Sequence, residues 1–226
     1  MGANAQTAVP AFTAGQVLTA AQQTQINTGI PVFATTVTRD AAFGGAGEKT
    51  LAEGQFAYLE DSNTTQFYDG ASWTSLGTTL AIFNETQAAG TNGGSITAAT
   101  WTKRTLNTTN VNTISGCSIA SSVITLTAGT YLINAETNGD QLGLFKARLQ
   151  NTTDATTTLF SQNAYNFVDA GYATTVASII GAFTIAGTKN FELQQYSQVT
   201  SGATGLGRGS AAYTSLFSQI QITRLA

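Results

Sequence analysis

Side chains able to do chemistry are few in this chain of 226 residues: 12 acids, 9 bases, one cysteine and no histidine. Without histidine, Ser-His-Asp and Cys-His mechanisms and histidine metal sites are excluded. Cys117 has no partner for a disulfide within the chain, and a structural zinc site needs several Cys or His ligands. It reads as a small residue in a strand or turn. What remains is carboxylate chemistry, in which two acids flank a glycosidic bond. Glu60 and Asp61 are adjacent on a predicted strand and so point to opposite faces. Glu136 and Asp140 flank a predicted turn that could bring them together. Asp154, Asp169 and Glu192 stand alone in sequence. Acids so placed cap turns and solvate strand ends, and the chain reads as non-enzymatic, with no cofactor and no metal.

The glycine-rich stretch 202–209 lacks the Lys-Ser/Thr of a phosphate loop, and no helix follows it. It reads as a flexible loop between the last two strands, at an exposed end of the fold. Gly205 and Arg208 are its candidate receptor contacts; the plainer reading is a passive surface loop.

The net charge of −3 is small and spread along the chain. Nucleic-acid binding needs clustered Lys and Arg, and the longest basic cluster is Lys103-Arg104, read as an ordinary exposed pair. No stretch approaches the roughly 20 apolar residues of a membrane span, and the N-terminus lacks a signal peptide's basic-then-apolar pattern. Nucleic acid and membrane are therefore not expected as partners. The expectation is a soluble chain made in a reducing cytoplasm.

The elements that would position these residues are mostly strands. Residues 1–18 read as extended or flexible. Thr19 and Gln22 form a capping box for a helix over Ala20–Thr28, closed by Gly29 and Pro31. A second, very short helix is predicted over 38–43 with Thr38 as cap, ended by Gly44, Gly45 and Gly47. Residues 54–76 read as a three-stranded meander, with turns at Asn63 and Asp69-Gly70. Its aromatics, Phe56, Tyr58, Phe67, Tyr68 and Trp73, would either dock on a partner surface or form a satellite core.

From residue 79 strand follows strand: 79–85, 101–106, 111–115, 122–127, 129–136, 141–150, 156–161, 171–186, 189–198 and 213–225. The 42% apolar fraction suffices for a core. The fold class is mainly β: an antiparallel jelly-roll sandwich preceded by a short helix and the meander. Domains are expected at 1–34 (arm and helix), 35–77 (meander) and 78–226 (jelly roll).

Both pleat faces of 174–185 are apolar, with Val176 and Ile180 on one and Ala177, Ile179, Phe183 and Ile185 on the other. A sandwich strand with one face in water should alternate apolar and polar. Leu216, Ile220 and Ile222 alternate similarly against Phe217, and Phe191 and Leu193 against Tyr196. Either loops of the same chain cover the second face or another subunit does. The candidate interface residues are Val176, Ile179, Ile180, Phe183, Tyr196 and Phe217.

Two resemblances extend this reading. FTAGQVLTAAQQTQIN, PVFATTVTRDAAF and EGQFAYLEDSNTTQFYDGASW, within residues 12–74, resemble the opening module of phage minor tail, fibre and other virion-surface proteins. TAATWTKRTLNT, ITLTAGTYLINA, FKARLQNTTDATTTLF, FTIAGTKNFELQQYS and SLFSQIQITRLA, within roughly 80–226, resemble the phage branch of complement-type and tumour-necrosis-factor-like jelly rolls. The second resemblance implies a homotrimer about an apolar three-fold axis. Together they imply a virion structural protein, with the N-terminal third docking on other virion proteins. A short tail-fibre or minor tail protein binding a host-surface glycan or protein, and a capsid decoration protein, both remain open. A glycan depolymerase and a free lectin-like adhesin rank below them.

Overall fold

The computed structural model describes residues 6–26, 29–46, 48–77, 79–167 and 174–225. It divides the chain into two compact units, Met1–Gly77 and Thr78–Ala226. The predicted positions Asn27, Thr28, Gly47, Asp169 and 171–173 lie outside the described residues.

The first unit runs α1 (Ala20–Ile26), β1 (Val32–Phe33), α2 (Thr36–Asp40), β2 (Phe56–Leu59), β3 (Thr64–Tyr68) and β4 (Trp73–Ser75). The box before α1 is present: the Thr19 amide donates to Gln22 Oε1, and the Gln22 amide donates to Thr19 Oγ1. Helix α2 starts earlier than its sequence suggests. Its cap is Thr35, whose side chain accepts from the Thr38 amide while the Thr38 hydroxyl accepts from the Thr35 amide. The meander β2-β3-β4 gains a fourth strand, because β1 pairs in parallel with β2. Asn63 turns the chain between β2 and β3 at φ 49°. Asp69 Oδ1 accepts from the amides of Ala71 and Ser72 around Gly70, whose φ of 97° favours glycine. Glu60 and Asp61 fall in the turn after β2 rather than on a strand. Val9, Phe33, Ala42, Ala57 and Leu59 form this unit's own core, with Phe43 and Trp73 packed against it.

The second unit contains β5 (Thr79–Gln87), β6 (Trp101–Lys103), β7 (Thr108–Asn112), β8 (Ser118–Ala120), β9 (Val123–Leu126) and β10 (Gly129–Asp140). There follow β11 (Gly143–Asn151), β12 (Thr156–Phe160), β13 (Ala164–Asn166), β14 (Thr174–Ile185), β15 (Lys189–Ser197) and β16 (Ser215–Arg224). One sheet has the order β14-β10-β16-β5-β7; the other has β12-β11-β15-β9-β8, with β13 on β11 and β6 on β15. Pairing between strands in this unit is antiparallel throughout, and the chain crosses repeatedly from one sheet to the other. This is an antiparallel jelly-roll sandwich. Its core is built from inward positions of both sheets, among them Phe83, Tyr131, Ile133, Phe145, Ile179, Phe191 and Ile220. The short strands β8 and β13 were not expected from sequence, and 111–115 is replaced by Thr108–Asn112.

No helix among the described residues is long and apolar enough to cross a membrane.

Candidate functional site

The outward face of the sheet β14-β10-β16-β5-β7 is where the second apolar face of 174–185 falls. Alternation along β14 buries Ala177 and Ile179 and turns Val176 and Ile180 outward. The register then sets rows across three strands: Ile180 beside Asn134 beside Gln221, and Ala182 beside Leu132 beside Thr223. Ile82 and Leu80 of β5 extend these two rows. Ile180 is 75% exposed, Leu216 47%, and Leu132 and Val176 each 40%. Glu136 is the one charge among these outward positions of β10, β14 and β16. A groove of about 330 Å³ borders this face at the β14 edge, lined by Phe160, Ala164, Val176 and Ile180 among others.

The interface candidates divide between the two sides of the sheets. Val176 and Ile180 are outward. Ile179 has no exposed surface, and Phe183 packs inward between Tyr131 and Phe191 at centroid distances of 5.9 and 5.3 Å. These two belong to the core of the single chain. Phe217 is also buried. A register shift between Leu216 and Ser218 makes Phe217 the extra residue of a β-bulge, which turns Leu216 outward and away from the face of Ile220 and Ile222. Tyr196 points outward from the other sheet, against Trp101 at 5.3 Å.

The pairing of Lys103 with Arg104 as exposed residues is corrected: Arg104 is fully buried. Its Nε and Nη2 meet Glu85 Oε2 at 2.8 and 2.7 Å. Nη1 donates to Gln195 Oε1 and the Asn138 carbonyl, and Nη2 to the Leu206 and Phe217 carbonyls. One guanidinium thus ties β5, β10, β15, the glycine-rich loop and the β16 bulge together. Burial pushes the Glu85 carboxyl above its usual range, and the Arg104 charge acts against that shift.

The loop 202–209 is packed rather than loose. Gly93 donates to the Gly207 carbonyl, Gly94 to Ala203, Leu206 to Gly94, and Asp140 to Gly205. Gly207 holds a φ of 136°, and a Cβ there would overlap the Phe217 ring. Gly205 is buried and offers no receptor surface. Arg208 is half-buried and its Nη2 donates to Asp140 Oδ2 at 2.8 Å. Asp140 is itself buried at the end of β10, on the same strand as Glu136, so no turn brings those two acids together. Four residues of strand separate them by about 13 Å along the chain.

In the first unit the docking aromatics fall on opposite sides of the meander. Phe56, Tyr58 and Phe67 share one side, with Phe56 and Phe67 at 6.4 Å. Tyr68 and Trp73 pair on the other at 5.6 Å, where Trp73 also meets Phe43 and lies under the Arg39 guanidinium at 4.6 Å. Buried Arg39 also donates to Asp40 Oδ1 and Gln66 Oε1.

No family model matches the sequence, and comparison with curated proteins gives no match. Among solved structures, the chain is similar to murine APRIL at pH 5.0, at 10% identity and a TM-score of 0.45, over 66% of this chain and 100% of that one. It is similar to the globular domain of zebrafish complement 1qA at 13% identity and 0.40, over 66% and 97%. It is also similar to the Eiger TNF of S. frugiperda at 13% and 0.45, over 66% and 93%. At these values the likeness carries no argument about assembly or function. The sandwich stands on its own strand pairing.

Proposed function

We propose that the chain is a non-catalytic structural protein of a bacteriophage particle, displayed on the virion surface as a homotrimer. The observation that carries the assembly is the outward face of the sheet β14-β10-β16-β5-β7, where Ile180, Val176, Leu132 and Leu216 stand in water with one carboxylate among them. Sheet faces left to solvent are ordinarily polar, and exposed aliphatic patches of this kind mark contact sites. The face runs into the groove at the β14 edge, whose lining is mixed: Phe160, Ala164, Val176 and Ile180 with Gln162, Asn163 and Ser178. A ring of three is what the resemblance of residues 80–226 implies.

The virion assignment is supported by the phage-like pieces in residues 12–74. Exposed Phe56, with half-buried Phe67 and Tyr58 beside it, forms the side of the meander read as docking on other virion proteins. The position on the particle is read as tail, with the jelly roll meeting the host surface. A second reading is capsid decoration: the two helices among the described residues span seven and five residues, too short for a coiled-coil shaft.

Quantitative analysis of purified virions tests both. A few tens of copies or fewer indicates the tail, and hundreds indicate the shell. Absence from washed particles overturns the virion assignment. Release of reducing sugar from host polysaccharide by the purified protein overturns the non-catalytic one.

A further inference from the structure

On the opposite side of the sandwich, the outward face of β6-β15-β11-β12 carries a compact aromatic and cationic surface. We propose that it binds acidic polysaccharide, taking sugar carboxylates on Arg148 and Lys146 and sugar ring faces against Trp101, Tyr196 and Phe160.

Strand register assembles the surface from distant pieces of sequence. Lys103, Gln194, Arg148 and Phe160 form one row across the four strands; Trp101, Tyr196 and Lys146 form the next. The surface is about 14 Å across the strands. Trp101 stands 5.3 Å from Tyr196 and 6.1 Å from Phe160. The Arg148 guanidinium lies 4.1 Å over Trp101, and Lys146 Nζ lies 4.7 Å from the centroid of Phe160. Gln194 Oε1 and Thr157 Oγ1 accept from Nε and Nη1 of Arg148 and fix its plane.

Charge points to an anionic ligand. Elsewhere in this unit Arg104 is paired with Glu85, Lys189 with Asp154 and Arg208 with Asp140. Here Lys103 meets Glu192 at 3.5 Å, whereas Lys146 and Arg148 have no carboxylate within 4 Å among the described residues. Glu192 is the one carboxylate whose charge reaches Arg148, and it also serves Lys103, so three cations share one acid among three aromatic rings in a protein whose net charge is −3. Three cations beside one shared carboxylate are too few for a polyphosphate track, whose affinity comes from many neutralised phosphates. Spaced carboxylates between apolar sugar faces match both the number of cations and the rings between them. A planar guanidinium held in place accepts a carboxylate with two parallel hydrogen bonds.

This deepens the host-attachment reading by giving it a surface and a ligand class, but it rests on geometry of its own. Isothermal titration of the purified full-length protein with hexagalacturonate tests it, with the methyl-esterified hexamer and a single-stranded DNA 12-mer in parallel arms. Binding of the acid hexamer is expected to fall with added salt, to be at least about tenfold weaker for the ester, and to weaken by about tenfold in Lys146→Gln and again in Arg148→Gln. The Lys146 ammonium makes no hydrogen bond among the described residues, so K146Q keeps the test valid even if R148Q disturbs the sheet. The proposal is overturned by no heat of binding at millimolar hexamer, by equal binding of ester and acid, by K146Q binding as wild type does, or by tighter DNA binding with the same sensitivity to K146Q. None of these outcomes touches the oligomeric state or the virion location.

Discussion

Arg104 and Glu85 form an ion pair at 2.7 Å in which neither side chain has exposed surface. They lie on β5 and just beyond β6, strands of opposite sheets, so the pair bolts the sandwich across its interior. Removing one partner leaves a buried charge uncompensated. Arg104→Met or Glu85→Met alone is expected to cost about 3–5 kcal/mol, and the double variant less than the sum of the two. Urea unfolding of the four proteins measures this, and strict additivity would show that the two side chains act independently. Arg104→Lys is not a conservative change, because one ammonium cannot reach the Gln195 side chain and three backbone carbonyls at once.

Gly207 is required by both its φ and its neighbour Phe217. Gly207→Ala should destabilise by about 2 kcal/mol or more. Gly202, in the same loop, has open space where a Cβ would go, and Gly202→Ala should leave the unfolding midpoint unchanged. Equal effects at the two positions would mean that the loop is as loose as its composition suggests.

Burial pushes the Cys117 thiol up to about 11. Thiolate is then scarce at pH 8, and the folded protein should resist iodoacetamide while the urea-unfolded chain reacts readily. Mass spectrometry of intact protein after timed exposure distinguishes the two.

Asp154 is held below its usual carboxyl range, first by the hydrogen bond from Lys189 and then by Asn151. Asp69 is lowered by the amides of Ser72 and Ala71. A depressed carboxyl stabilises the fold above its unfolded value near 3.8 and loses that contribution as pH falls through the folded value. Acid unfolding of Asp154→Asn should therefore show a shallower pH dependence below about pH 4 than wild type. An identical acid limb would assign it to other carboxylates.

Legibility in the sequence followed the range of the interactions. The box at Thr19 and Gln22 and the turns at Asn63 and Asp69-Gly70 were readable, because each is a contact across three residues or fewer. The two faces of 174–185 were readable because the period of a strand is two. That period failed at Leu216, where the Phe217 bulge inserts a residue that no local pattern announces. Arg104 was misread as a surface partner of Lys103, although adjacent strand residues face opposite ways. Its signal lay at Glu85, which shares a face with Ala81 and Phe83 and so requires a cation inside the core. Gly205 and Gly207 were read as freedom, whereas they permit close approach of Ile96 and Phe217. The Trp101–Arg148–Phe160 surface was invisible, since only the register of four strands brings it together.

The claim that this chain assembles through its outward β14 face is tested most directly by sedimentation equilibrium of the purified protein at micromolar concentration, with Ile180→Asp alongside. Ile180 is exposed in the single chain, so its replacement leaves the monomer folded, whereas Phe183→Asp would strike the core. The account predicts three times the 23.4 kDa chain mass for wild type and monomer for Ile180→Asp, because a buried unpaired charge costs several kcal/mol. A wild-type monomer, or a trimer that Ile180→Asp leaves intact, would contradict it.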